Sequence, residues 1–206
     1  MSILQKIGES FDSDKAKNLT SGITYLEYYE NIFKDLKNIK TILEIGTYYG
    51  NGLLTLSEYF NDSQVVSIDK KVIEVVHDRI DGKDNCFVYE CDQTDKNKLL
   101  QIVSKHCEYI DVVIDDASHE IDKTIETFKI LYPKLKNGGY YIIEDLQCMV
   151  GSTKNNITYD NDVNVEYKEE DYPKLVNFIS YACQYILKTG TISEVRVTGN
   201  ILVIKK

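Results

Sequence analysis

The 206-residue chain carries 24 basic and 33 acidic residues, a formal charge of −9, which argues against a nucleic-acid backbone or an anionic membrane surface as partner. Hydrophobic residues make up 43% and charged residues 28%, ordinary values for a globular chain of one-domain length. No apolar run approaches membrane-spanning length, and the N-terminus has no apolar signal core. The five cysteines (Cys86, Cys91, Cys107, Cys148, Cys183) lack C-x-x-C spacing and read as reduced thiols of a cytoplasmic protein, not as a zinc site.

Before Lys40, Tyr25, Leu26, Tyr28, Tyr29, Ile32 and Phe33 form an aromatic-rich helical face expected to pack over the edge of a sheet or over a site. From about Lys40 the chain alternates β-branched runs with amphipathic stretches, the pattern of a parallel sheet covered by helices. Strands are expected at 41–45, 65–69, 86–90, 111–114, 140–144, 193–197 and 201–204. Helices are expected at 51–59, 72–79, 96–106, 120–131 and 172–187. The last two strands flank Thr198-Gly199-Asn200 and read as a hairpin, so a mostly parallel α/β sheet of seven strands ends with one antiparallel strand. Residues 1–206 are expected to be a single domain, with 1–37 as a helical cap and 38–206 as the core.

Two acidic clusters close hydrophobic strands: Asp115-Asp116-Ala117-Ser118-His119, and Glu144-Asp145 after Gly138-Gly139. In an open α/β sheet, ligands collect at the carboxyl ends of strands, so these carboxylates and one imidazole are expected to converge on one crevice. The set suits a hard cation and a general base. Carboxylate ligands favour Mg²⁺, or Mn²⁺ or Ca²⁺, over zinc or copper. An aliphatic hydroxyl is a weak nucleophile at neutral pH; a divalent cation on its oxygen stabilises the alkoxide, and an imidazole can remove the proton. His119 is expected in the first turn of the helix that follows. His77 and His106 fall inside helices and read as structural.

The first strand runs into Gly46-Thr47-Tyr48-Tyr49-Gly50-Asn51-Gly52, whose glycines allow a tight turn and close approach to a ligand. The next helix points its N-terminal amides at that ligand. Asp69 ends the second strand, where a carboxylate can accept hydrogen bonds from a ribose diol. A dinucleotide fingerprint would need glycine at Tyr48, which disfavours NAD.

Glu44-Ile45-Gly46-x-x-x-Gly50 resembles motif I of class I S-adenosylmethionine-dependent methyltransferases, and Leu135-Lys136-Asn137-Gly138-Gly139 resembles their Leu-Lys-Pro-Gly-Gly segment before strand five. The resemblance covers 37–206 and implies a Rossmann-like class I methyltransferase fold. It implies a cofactor site at Glu44, Gly46, Thr47, Tyr48, Gly50 and Asp69, with Asp92 and Gln93 near the adenine and Asp115 beside the methionine end.

Within that superfamily, Asp115-Asp116-Ala117-Ser118-His119 and Glu144-Asp145 resemble the Mg²⁺-dependent sugar O-methyltransferases of the macrocin and mycinamicin type and the cephalosporin-hydroxylase-like family. The resemblance implies Asp116, Glu144 and Asp145 as metal ligands and His119 as the general base. Ser13-Asp14-Lys15 and Tyr25 are similar to an N-terminal Thr-Asp-Lys…His-x-Tyr segment of that family, with Ile23 at the histidine position. The implied activity is methyl transfer from S-adenosylmethionine to a hydroxyl of a sugar, glycoside or related small-molecule acceptor. A catechol-type enzyme acting on a phenolic diol, or a methyltransferase-like domain that binds without turnover, are the alternatives. The acceptor is expected between the N-terminal region and the polar segment 146–160; a homo-oligomer remains open.

Overall fold

The computed structural model describes residues 2–149 and 171–206. The chain begins with α1 (Ile3–Ser10), a 3-10 turn (Asp14–Ala16), the short hairpin β1 (Leu19–Thr20) and β2 (Ile23–Thr24), and α2 (Tyr25–Phe33). The core follows as β3 (Thr41–Ile45), α3 (Asn51–Tyr59), β4 (Gln64–Asp69), α4 (Glu74–Ile80), β5 (Cys86–Glu90), α5 (Lys96–His106), β6 (Ile110–Asp115) and α6 (Ile121–Leu131). It continues with β7 (Leu135–Ile143), α7 (Leu146–Met149), α8 (Asp171–Thr189), β8 (Glu194–Thr198) and β9 (Ile201–Lys205). Among the described residues no helix is long and apolar enough to cross a membrane.

Seven of these strands form one sheet in the order β5-β4-β3-β6-β7-β9-β8. All neighbours are parallel except β9, which runs antiparallel to both β7 and β8. The expected terminal hairpin is present, with the last strand inserted between β7 and β8. Every residue of β3 and of β6 is buried, as befits central parallel strands covered on both faces.

Side chains alternate between two cores. Ile42, Val65, Val112, Ile114, Tyr140, Ile142 and Val203 pack with the buried faces of α1, α2 and α3. Leu43, Ile45, Val66, Val113, Tyr141, Ile143 and Leu202 pack with α5, α6 and α8. α2 starts at a capping box, in which the Thr24 hydroxyl accepts from the Glu27 amide and the Glu27 carboxylate accepts from the Thr24 amide.

The chain moves outward from β3 to β5 and returns on the other side at β6, so a crevice opens where β3 and β6 end. Ile45 lies opposite Ile68 and Asp115, and Asp115 opposite Ile143. Gly46, Asp116 and Glu144 therefore leave the sheet at one level. Their amides extend the ladder, donating to Ile68, Ile45 and Asp115 carbonyls at 2.8, 2.9 and 3.0 Å.

Four expectations are corrected. β7 begins at Leu135 rather than Tyr140, because Gly138-Gly139 forms an irregularity inside the strand: the register shifts between Ile110 and Val112, and Gly138 has φ +83°. α4 begins at Glu74 instead of Val72. The N-terminal region holds α1 and a hairpin in addition to α2. Of the segment expected to be a polar loop from Leu146, the first four residues form α7, and 150–160 lie outside the described residues.

Candidate active site

The acidic residues do not all enter one crevice. Asp115 is the last residue of β6 and points to the α6 and α8 face, where it is 2% exposed and accepts a hydrogen bond from Tyr141 Oη at 3.3 Å. Burial pushes its carboxyl up to about 7, against the pull of the Tyr141 hydroxyl. Asp116, one residue on, lies on the opposite face with Glu144. That alternation separates Asp115 from the other carboxylates across the sheet.

On the α2 face, three residues of the N-terminal region meet the strand ends. Lys15 Nζ donates to Asp116 Oδ2 and, at 3.0 Å, to Glu144 Oε2. Tyr29 Oη donates to Glu144 Oε1, and Tyr25 Oη donates to Asp145 Oδ1 at 2.6 Å. His119 Nε2 faces Asp116 Oδ1 at 3.8 Å and Asp145 Oδ2 at 4.0 Å. Burial raises both Asp116 and Glu144 above the usual carboxylate range, opposed in each by the Lys15 charge; Asp116 adds to the Glu144 shift, and Asp145 adds to both. Burial works against the Lys15 ammonium, but Asp116 and Glu144 outweigh it and hold the amine protonated well above the usual lysine range.

His119 precedes α6 instead of occupying its first turn: Glu120 is the N-cap and Ile121 the first helical residue. Its φ is +54°, as is that of Asp145, and Tyr48 has φ +47°. Left-handed backbone at non-glycine residues costs energy and gathers at functional sites. These three lie one in each loop that leaves β6, β7 and β3. His119 Nδ1 is buried without a hydrogen-bond partner.

Asp116, His119 and Asp145 each place a ligand atom within 4.8 Å of the others. The carboxylate oxygens of Asp116 and Asp145 so gathered fit one hard divalent cation with small adjustments, with the His119 imidazole beside them. Glu144, expected as a ligand, has its two oxygens on Lys15 and Tyr29 in this structure.

The glycine loop sits beside this set. Gly46 has φ +98°, and a Cβ there would lie 2.1 Å from the Asp116 carbonyl oxygen, so the glycine admits the neighbouring backbone. Gly50, φ +78°, is the N-cap of α3. Asp69 Oδ2 accepts from the Thr47 and Tyr48 amides at 2.9 and 3.1 Å, and Oδ1 from the Lys71 amide at 3.1 Å. Glu44 is 1% exposed and accepts from Ser67 Oγ at 2.9 Å, and Ser67 bonds Thr47 Oγ1 at 2.7 Å. Burial lifts Glu44 to about 7, opposed by the Lys15 charge and the Ser67 hydroxyl.

Asp92 accepts from the Thr94 amide and hydroxyl at 2.9 and 2.8 Å. Gln93 is buried and braces the next loop, donating to Thr127 Oγ1 at 3.0 Å and accepting from the Ser118 amide at 3.3 Å. His106 bonds Tyr89 and Gln64, away from this site.

Sequence reasoning placed Lys15 and Tyr25 in a segment associated with the acceptor and read Tyr29 only as part of an aromatic face. Their carboxylate contacts were not anticipated. The available signal was the spacing of Tyr25 and Tyr29, one helical turn apart, which puts both hydroxyls on one face; nothing local marks Lys15 as buried.

No family model matches the chain. Over 133 residues, 60% of the chain, it is 30% identical to the 8-demethyl-8-alpha-L-rhamnosyl tetracenomycin-C 2'-O-methyltransferase of Streptomyces olivaceus, covering 33% of that enzyme. It is 28% identical, also over 133 residues, to the mycinamicin VI 2''-O-methyltransferase of Micromonospora griseorubida, covering 59% of the chain and 31% of that enzyme. The whole chain superposes on 54% of MycE methyltransferase from the mycinamycin biosynthetic pathway, in complex with Mg, SAH and mycinamycin VI, with a TM-score of 0.79 at 19% identity. The matched stretches thus span about a third of these curated relatives. The chain has the Rossmann-like fold of class I methyltransferases and is similar in sequence to sugar O-methyltransferases named for rhamnosyl tetracenomycin-C and mycinamicin VI.

Proposed function

We propose that the protein is a Mg²⁺-dependent methyltransferase that moves the methyl group of S-adenosylmethionine to a hydroxyl of a sugar or glycoside. The observation that carries this reading is the convergence of Asp116, Asp145 and His119 beside the glycine loop at the switch point of the sheet. The relatives' names, which specify O-methylation of rhamnosyl and mycinamicin acceptors, supply the acceptor class.

Bound Mg²⁺ would polarise the acceptor hydroxyl, and bound S-adenosylmethionine would supply the methyl group. Asp116 and Asp145 would hold the ion, with Glu144 fixed behind them by Lys15 and Tyr29. His119 Nε2, at 3.8 and 4.0 Å from the two aspartates, is placed to take the proton of a hydroxyl held beside them. Asp69 would hold the ribose diol through its remaining lone pairs, and Gly46 and Gly50 would bring backbone against the methionine end. Glu44, Thr47, Tyr48, Asp92, Gln93 and Asp115 complete the proposed cofactor surroundings, of which Glu44, Gln93 and Asp115 shape the walls from buried positions.

The same reading takes residues 1–206 as a single unit, with 1–37 capping 38–206. The hydrogen bonds of Lys15, Tyr25 and Tyr29 into the strand ends support it. A cytoplasmic location fits the five free cysteines. Calorimetry tests the core of the proposal. S-adenosylmethionine and Mn²⁺ should each bind the wild-type protein, with Asp69→Ala weakening the first and Asp116→Asn the second. A folded protein that binds neither contradicts it.

A further inference from the structure

We propose that Lys15 is a built-in counter-cation of the acidic site, holding Asp116 and Glu144 together and limiting how tightly a divalent ion binds beside them. This inference rests on the cation-site reading above and concerns what sets its affinity.

Glu44, Asp116, Glu144 and Asp145 are gathered at the ends of β3, β6 and β7. Glu44, Glu144 and Asp145 are only 1%, 1% and 4% exposed. Carboxylates buried this close repel one another strongly without a positive partner, and a buried charge must be paired to persist. Among the described residues, Lys15, 3% exposed, is the cation that bonds into this cluster, through Asp116 and Glu144.

Its contacts divide the cluster in two. Asp116 gives Oδ2 to Lys15 and turns Oδ1 toward His119. Glu144 gives Oε2 to Lys15 and Oε1 to Tyr29. The ammonium therefore sits on one oxygen of Asp116, while the other oxygen faces His119 and the Asp145 carboxylate beyond it, the side on which an ion shared by the two aspartates would lie. Glu144 is held by donors on both oxygens.

The route of the lysine is built for it. A Cβ on Gly52 would lie 3.2 Å from Lys15 Cε and 2.3 Å from Glu44 Oε1, so a side chain at that position would obstruct the passage. The turn carrying Lys15 is fastened at both ends: the Ser13 amide donates to the Gly8 carbonyl at 2.9 Å, and Gln5 Nε2 donates to the Ala16 carbonyl at 2.9 Å.

Two consequences follow from charge alone. The acidic loops are held in place before any ion arrives. A fixed positive charge beside Asp116 also repels a divalent ion bound to that residue, and the low-dielectric surroundings magnify the effect. Lys15 is thus a positioning residue, and a merely structural role would leave ion affinity unchanged or weaken it.

Mn²⁺ binding, followed by the electron paramagnetic resonance of the free ion, and thermal melts with and without Mn²⁺ test this on wild type, Lys15→Met and Lys15→Gln. The expected result is Mn²⁺ binding tighter by about tenfold or more in both variants. The ion-free melting temperature should be lower than in wild type, and Mn²⁺ should restore more of it. A variant that folds only in the presence of Mn²⁺ also supports the proposal, because the ion then replaces the missing charge. Folded variants with unchanged or weaker affinity overturn it, as do variants that stay unfolded in millimolar Mn²⁺. Wild-type protein that binds no Mn²⁺ contradicts the preceding function reading; the Lys15 inference then fails only if the variants bind none either.

Discussion

Tyr25 and Asp145, 120 positions apart, are joined by a 2.6 Å hydrogen bond from the phenol to the carboxylate in a buried setting. This bond fastens the start of α2 to the loop leaving β7, and so fixes one wall of the acidic site from outside the sheet. Tyr25→Phe removes the donor while keeping the ring, which is 1% exposed. The expected loss of stability is about 1–3 kcal/mol, the range for a buried acceptor that loses a hydrogen-bond donor, with Gln147 Nε2 still donating to the same oxygen at 3.2 Å, read by denaturant unfolding without divalent ions. Unchanged stability would mean that the bond holds nothing.

The glycines of the fold divide by what surrounds them. Gly46→Ala puts a Cβ 2.1 Å from the Asp116 carbonyl oxygen at φ +98°, whereas Gly82→Ala, at φ +74°, meets nothing within 4 Å. The second should cost only the backbone strain, about 1–2 kcal/mol. The first must also move the β6 loop and should cost several kcal/mol more or prevent folding. Equal melting temperatures for the two variants would contradict the packing described here.

Glu44 offers a pH test with a definite sign. Its carboxyl is raised from 4.5 to about 7 in the folded protein, first by burial, so the folded state holds its proton more tightly than the unfolded state does. Both states are protonated below about pH 4.5, where burial carries no charge penalty. Stability then falls as pH rises toward about 7 and levels off above it. Glu44→Gln removes this titration. Relative to wild type, the variant should gain on the order of 3 kcal/mol between pH 4.5 and pH 8 in ion-free buffer, the 2.5-unit shift converted at 1.36 kcal/mol per unit. A difference that does not vary with pH would rule this out.

His119 should separate proton transfer from ion binding. With a glycosidic acceptor in hand, His119→Ala is expected to lower kcat by about 10²–10⁴-fold, the usual contribution of a positioned base. Mn²⁺ should still bind through Asp116 and Asp145. Loss of Mn²⁺ binding in this variant would make His119 a ligand instead.

The sheet was legible because its central strands are short and rich in β-branched and apolar residues, as in 41–45 and 110–115, and because acidic or glycine residues mark their carboxyl ends. β7 was shortened in the sequence reading because Gly138-Gly139 imitates a turn, while in the structure it makes an irregularity inside a paired strand. The acidic site was legible as a set of residue types but not in its division. Asp115 and Asp116 are neighbours in sequence, yet the pleat sends them to opposite faces. Lys15 was not legible as a site residue because its burial depends on α1, the 3-10 turn and Gly52 meeting in space, which no local pattern encodes.

Transfer of labelled methyl groups from S-adenosylmethionine to a pool of deoxysugar glycosides, with phenolic diols alongside, tests the central claim most directly. Reactions are run with Mg²⁺ or with EDTA, and the products are resolved by mass spectrometry. The expected result is label on a sugar hydroxyl with Mg²⁺, abolished by EDTA and by Asp116→Asn. Label that persists in EDTA, or that appears only on phenols, would contradict it.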